Sequence, residues 1–382
     1  MSARKKRRPL CLAETAGGGE CQNYKDTCPY KTTHSRATRR IFEEQPNEPV
    51  RLSSAPLASA KSLADDPVLL KRLSDDASQH YDLEPALIEH DYWMIRSLYA
   101  WMEAAGGSGL PRPYLPPWKS ASAGRVLFAG GTSLSAAWQI APRWSEDIDL
   151  IVDPTPDLAY KKIRTACKRN AIQTSSSIGA QCQVLEQGPR HFFFRNIRGD
   201  SAGGTRIDLS FRPLADVWVA NRSATSLIGR IADQDVRDRF PELGGFMVPT
   251  VGPGLITTDK LLAQTRVADS GDLKQIRARS RDLYDLACIA LERSRFEGHI
   301  GRDTRRLLHV SESQRPPEDP PRPAEGFASL RTFDPSTPEH DALAEGYEVV
   351  LSRMVWGDKI PLDEAIRLAV SLDEGPAEEF TT

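Results

Sequence analysis

Two aspartates one residue apart, Asp147 and Asp149, stand in an apolar run, with Ile148 between them and Leu150, Ile151 and Val152 following. On an extended strand successive side chains point to opposite faces, so the two carboxylates share one face while Ile148 turns to the core. Two carboxylates crowded on one face repel each other unless a cation lies between them. A divalent metal that also grips phosphate oxygens answers that need. Upstream lies a small-residue turn, Gly130, Gly131, Thr132 and Ser133. Glycines let the backbone approach an anion closely, and the N–H groups opening a following helix favour negative charge. A glycine turn alone is weak evidence; its position before a D-x-D strand makes it a phosphate-binding candidate. A third carboxylate, Asp208, lies between Ile207 and Leu209 in the strand-like RIDLSF at 206–211, facing away from the layer those two bury. Three acidic side chains on adjacent strands could hold two magnesium ions, ~3.5–4 Å apart in phosphoryl-transfer sites. One ion would activate an attacking hydroxyl, and the other would steady a triphosphate and its leaving pyrophosphate.

The elements that position these residues are legible from periodicity. Residues 84–103 read as a helix, with Ile88, Tyr92, Ile95, Tyr99 and Met102 at helical spacing and Pro85 in the first turn. Residues 105–124, rich in Gly, Pro and Ser, read as a loop before a strand at 125–129. A short helix is expected at 134–140, then the strand carrying Asp147 and Asp149. Residues 157–170 look helical, and 191–197 (HFFFRNI) strand-like, its aromatic run suited to a core. Two helices are expected at 257–268 and 281–293, the first capped by Thr257 or Thr258, with the basic stretch Lys274, Arg277, Arg279 and Arg281 between and into them. Residues 311–338 hold seven prolines and read as a loop. Beyond it two apolar stripes return, Leu343, Tyr347, Val350 and Met354, then Leu362, Ile366 and Ala369. Residues 213–250 carry no clear pattern.

The whole is expected to be α/β: a mixed sheet with helices against it over residues 61–250, then a helical domain over 251–375 with the proline-rich loop inside it. With 382 residues there is chain enough for two cores. The net charge of −2 is unevenly spread, because residues 1–40 hold ten Lys/Arg against three Asp/Glu. Residues 1–60 are polar, basic and without periodicity, and read as a disordered extension. Cys11, Cys21, Cys28 and His34 could bind zinc, but their spacing lacks the tight C-x2-C pairs of strong zinc signals, and the unstructured reading is preferred. The basic start has no apolar stretch behind it, so it is not a secretory signal. No apolar run reaches transmembrane length. Six cysteines make no disulfide framework in a chain this long, leaving a reducing cytoplasm as the expected compartment.

The arrangement looks like the DNA polymerase β-like nucleotidyltransferase superfamily. More closely, GGTSLS…RWSEDIDL resembles the AbiEii/AbiGii toxin family of abortive-infection and type IV toxin–antitoxin systems. Other segments agree in order: IEHDYW at 88–93, TDKLL at 258–262, RDLYDL at 281–286, and the tail segments MVWG and LDEAIRLAVSL. The resemblance covers residues 65–375. It implies that Asp147 and Asp149 are metal ligands, that Lys260 contacts the triphosphate, and that Asp282 is needed for activity. Asp208 as third ligand comes from the wider superfamily. Gly130, Gly131, Thr132 and Ser133 would bind the nucleotide's phosphates, with Arg143 and Arg281 as further phosphate candidates. Fifteen residues separate Gly131 from Asp147, more than in minimal superfamily members, which leaves open whether Thr132 or Ser133 faces the phosphate. Arg281 and Asp285 are i,i+4 and could pair.

The resemblance thus implies a magnesium-dependent enzyme transferring a nucleoside monophosphate from an NTP. It implies tRNA as acceptor, blocked at its 3′ end against aminoacylation, and a cognate antitoxin as partner. Three alternatives stay open: transfer to a protein or small molecule, a non-catalytic NTP-binding module, and, last, a structural or interaction protein, which would leave the motif order unexplained. The basic stretch at 274–281 could lie along RNA phosphates or be a solvated face.

Overall fold

The computed structural model describes residues 62–107, 125–153, 160–184, 191–196, 204–212, 214, 217–296, 300–313 and 319–373. The basic extension, the three cysteines and His34 within it, and most of the loop expected at 105–124 lie outside the described residues.

Helix α1 (Pro67–Tyr81) starts where Asp66 accepts a hydrogen bond from Leu69 N at 3.1 Å, with Pro67 at its first position, and stops at Asp82, whose φ is 55°. Helix α2 (Pro85–Gly107) follows. Strand β1 (Arg125–Ala129) runs directly into α3 (Gly130–Ala136), then comes β2 (Asp147–Asp153). Helix α3 begins at the glycines themselves, four residues before the expected start, because Gly130 turns the chain with φ +68° and Ser133 Oγ donates back to Gly130 O at 2.8 Å. Helix α4 (Tyr160–Ile178) is longer than expected and leads to β3 (Ala180–Val184), β4 (His191–Asn196) and β5 (Thr205–Phe211). The patternless 213–250 region holds β6 (Val219–Ala224), the short helices α5 (Leu227–Ile231) and α6 (Gln234–Arg239), and β7 (Phe246–Val251).

Five helices follow: α7 (Pro253–Ser270), α8 (Leu273–Leu291), α9 (Ile300–Ser313), α10 (Pro338–Arg353) and α11 (Leu362–Ser371). Neither Thr257 nor Thr258 caps α7. The helix opens at Gly252 and Pro253, and both threonines lie a turn inside it, donating to Pro253 O at 2.9 Å and Gly254 O at 3.0 Å. The basic stretch is no connector; it forms the first half of α8, capped by Asp272, which accepts from Lys274 N and Gln275 N. That half escaped the apolar periodicity because Ile276 is its one buried apolar side chain before Ser280.

The sheet order is β3-β4-β5-β2-β1-β7-β6. The β2–β5 and β1–β7 pairs are parallel and the other pairs antiparallel, so the sheet is mixed. One face turns Val126, Phe128, Ile148, Leu150, Val152, Ile207, Leu209, Phe192 and Phe194 into a core with α2 and α4. The opposite face gives Leu127, Ala129, Ile151 and Val251 to a second core built from α7 to α11. A third cluster joins α1 to α2 and α5. The described residues form one compact unit.

Candidate active site

Alternation along β2 decides where the carboxylates go. Ile148 and Leu150 are buried on the α2/α4 side, so Asp147 and Asp149 rise from the face that meets α7 and α8. Asp149 lies beside Asp208 in the parallel β2–β5 register, and His191 of β4 lies beside Asp208 in turn. The three aspartates therefore share one sheet face. They line a cavity of about 460 Å³ that also takes in Lys260, Arg206 and Asp282. That volume falls within the ~300–1,000 Å³ of small-ligand sites.

The glycine turn makes room for side chains of the site itself. A Cβ on Gly130 would stand 1.8 Å from Asp149 Oδ2, and one on Gly131 would stand 2.3 Å from Arg143 Nη2. The Thr132 hydroxyl donates to Asp147 O and that of Ser133 to Gly130 O, so both are spent on backbone.

Across the cavity, α7 and α8 bring a buried ion network. Arg143 donates through Nε and Nη2 to the two carboxylate oxygens of Asp285, both at 2.6 Å, and through Nη1 to Trp144 O at 2.8 Å. Lys260 Nζ lies 2.6 Å from Asp282 Oδ1 and 2.7 Å from Asp285 Oδ2. Arg143 and Asp285 are 1 % and 0 % exposed. Burial pushes the Asp285 carboxyl up, but Arg143 and Lys260 outweigh it and hold it down at about 2. Burial likewise opposes charge on Asp282, and Lys260 with Arg279 still keeps it below the usual carboxylate range. Asp149 moves the other way: burial, then Asp147 and Asp208, push it up to about 7. Arg281 pairs with Glu146 at 3.0 Å, not with Asp285, because Asp285 points inward to Arg143 and Lys260.

Residues that motif reading passed over complete the lining. Arg206 donates to Asp147 Oδ2 and reaches Asp208. His191 Nδ1 stands 2.9 Å from Asp208 Oδ1. Arg212 pairs with Asp259 of α7. Strand alternation could have found two of them. Arg206 is two residues from Asp208 on one strand, and His191 opens a strand whose Phe192 and Phe194 are core.

The tail motif acts by clamping. Val355 bridges Arg143 as an antiparallel pair, Trp144 N donates to Met354 O at 2.8 Å, and Trp356 N donates to Pro142 O at 3.1 Å. The IEHDYW segment is structural: Asp91 accepts from Leu227 N at 2.6 Å, the Tyr92 hydroxyl donates to Glu242, and His90 packs edge-on against Trp144 at 5.2 Å. Trp138 and Phe192 and Phe194 lie in the cores. Cys167 and Cys288 are buried, whereas Cys182 is half-buried.

A glycine-turn strand, a carboxylate row on the neighbouring strands and a lysine–aspartate network on the covering helices meet around this one cavity. A family model described as Nucleotidyl transferase AbiEii toxin, Type IV TA system, matches residues 117–356. The chain belongs to that family and is a nucleotidyltransferase toxin of a type IV toxin–antitoxin system. An NTP substrate and an antitoxin partner come with the family. No curated protein matches the chain. Among the described residues no helix is long and apolar enough to cross a membrane.

Among the described residues no group of three or more His, Cys, Asp or Glu stands ready to hold a metal ion. The chemistry of the donor set nevertheless fits a hard divalent cation. Asp147, Asp149 and Asp208 offer oxygen donors on one face, and the crowding that raises Asp149 is relieved by added positive charge.

Proposed function

We propose that this chain transfers a nucleoside monophosphate from an NTP to the 3′ end of tRNA, with magnesium held by Asp147, Asp149 and Asp208. The observation that carries this reading is the meeting of the three aspartates with Lys260 and Asp282 around one cavity. When bound, the cation would lower the pKa of the attacking hydroxyl and offset the charge of the triphosphate. The rest is done by the chain. An ammonium has three N–H donors. Asp282 and Asp285 account for two on Lys260, leaving one for a phosphate oxygen. Asp282 thus acts by aiming Lys260, and Arg143, with three of its five N–H donors on Asp285 and Trp144 O, acts by fixing Asp285. Gly130 and Gly131 keep the β1–α3 turn tight against the carboxylates. Arg266 and Arg279, about half exposed and at the cavity lining, offer cations to an incoming RNA backbone. Blocking the tRNA 3′ end would stop aminoacylation and translation, which suits a toxin.

The test is incubation of purified protein with each labelled NTP, magnesium and total bacterial RNA, beside Asp147→Ala. Label should enter tRNA and fall at least ~100-fold in the variant, in the range reported for loss of one electrostatic stabiliser, while the thermal transition persists. Label in protein and none in RNA would discard the tRNA acceptor and keep the nucleotidyl transfer.

A further inference from the structure

Arg206 is the cation nearest the carboxylate row. It lies beside Asp147 in the β2–β5 register and two residues before Asp208 on β5, so its side chain rises from the same face as the three aspartates. Nη2 donates to Asp147 Oδ2. Nε lies 3.2 Å from Asp208 Oδ2 but without the alignment of a hydrogen bond, so its hold on Asp208 is Coulombic. The guanidinium therefore takes up oxygens on two of the three carboxylates. Its freedom differs sharply from that of Arg143. Both line the cavity, but Arg143 is 1 % exposed and held by the fork of Asp285 and by Trp144 O, whereas the Arg206 side chain is 41 % exposed. A side chain so placed can swing away without unpacking a core.

We propose that Arg206 is the resident counter-cation of the carboxylate row: it holds Asp147 and Asp208 in the absence of a divalent ion and competes with that ion for the same oxygens. The inference rests on the metal site of the proposed function. Without a positive charge, three aspartates on one face would repel. One guanidinium bridging two of them relieves that repulsion, and a divalent ion relieves it better and takes its place. Metal affinity is then lower than three bare carboxylates would give, and the loss of Arg206 raises it.

Mn2+ binding, followed by the loss of its free electron paramagnetic resonance signal, separates the cases, with thermal midpoints recorded in EDTA and in Mn2+. Arg206→Met should bind Mn2+ more tightly than the unaltered chain, on the order of tenfold or more, and should melt lower in EDTA with the deficit restored by Mn2+. Arg206→Gln, which keeps a donor for Asp147 and removes the charge, should behave alike and serves if Arg206→Met does not fold. Arg206→Lys should stay close to the unaltered chain in both readouts. Equal or weaker Mn2+ binding in the neutral variants would overturn the proposal and leave the metal site standing. Mn2+ that binds neither the unaltered chain nor the variants would overturn the metal reading and this proposal with it.

Discussion

Asp285 has no exposed surface and meets two cations at once, the fork of Arg143 and the ammonium of Lys260. Removing one partner of such a buried pair leaves an uncompensated charge, which costs about 3–5 kcal/mol. Asp285→Asn keeps the shape but replaces an accepting oxygen by a donor facing a cation. It should lower the free energy of unfolding in urea by about that amount and remove transferase activity, because Lys260 loses one of its two anchors. An unchanged urea midpoint would mean that the pair breaks even and that Lys260 is aimed by Asp282 alone. The carboxyl's depressed pKa fixes the pH window. Its contribution is present above the unfolded-state value near 3.8 and is lost only as pH falls toward about 2, so the network is in force throughout the neutral range. Sequence spacing suggested Arg281 as the partner of Asp285, since i,i+4 residues are neighbours on a helix surface. Asp285 lies on the buried side of α8, and a partner 142 positions away reaches it there. Local spacing carries no information about that contact.

Helix α2 shows the same limit at the scale of elements. Its periodicity is plain in the sequence, but the task of Asp91 depends on a contact with Leu227, the first residue of α5, in a stretch whose helices are five and six residues long and carry no stripe to read. Strands β2 and β5 were legible for the opposite reason: Asp149 and Asp208 each sit between two core residues, and Asp147 stands next to a third, Ile148. Their register, which sets Asp149 beside Asp208 and Arg206 beside Asp147, is a property of pairing and not of either strand alone. Burial pushes Asp91 up to about 6, against the pull of the Leu227 N–H and of Arg230. A raised carboxyl favours the folded state below its unfolded pKa and loses that contribution as pH rises through the folded value. Asp91→Asn keeps an oxygen for the Leu227 N–H and does not titrate. Relative to the unaltered chain, the variant should therefore gain up to ~3 kcal/mol between pH 4 and pH 7, from about two pH units at 1.36 kcal/mol each. Urea unfolding at the two pH values checks this. A difference that stays constant with pH would mean that Asp91 is already ionised at pH 4 and held by Arg230.

For the molecule as a whole, composition and periodicity suggest two successive domains divided near residue 250, each with its own core. The packing argues for a different partition. Leu127, Ala129, Ile151 and Val251 belong to the sheet, yet they are buried with Leu261, Tyr284, Leu286 and Tyr347 of the following helices. A sheet with both faces apolar needs a layer on each side, and the second layer comes from α7 to α11. The clamp repeats the pattern, because residues 354–356 pair with the segment that carries Arg143. A fragment of residues 62–251 would keep β1 to β7 but expose that apolar face and leave Arg143 without Asp285. It should bind an apolar dye, self-associate and show no cooperative thermal transition, since exposed contiguous apolar patches of this kind drive association. A soluble fragment with a sharp transition and little dye binding would establish that the first 250 residues are a domain in their own right, and that the helices dock on a surface already folded. The absence of a transition would mean that the carboxylate face and the lysine network form in one folding event, so the site exists only when the whole of it does.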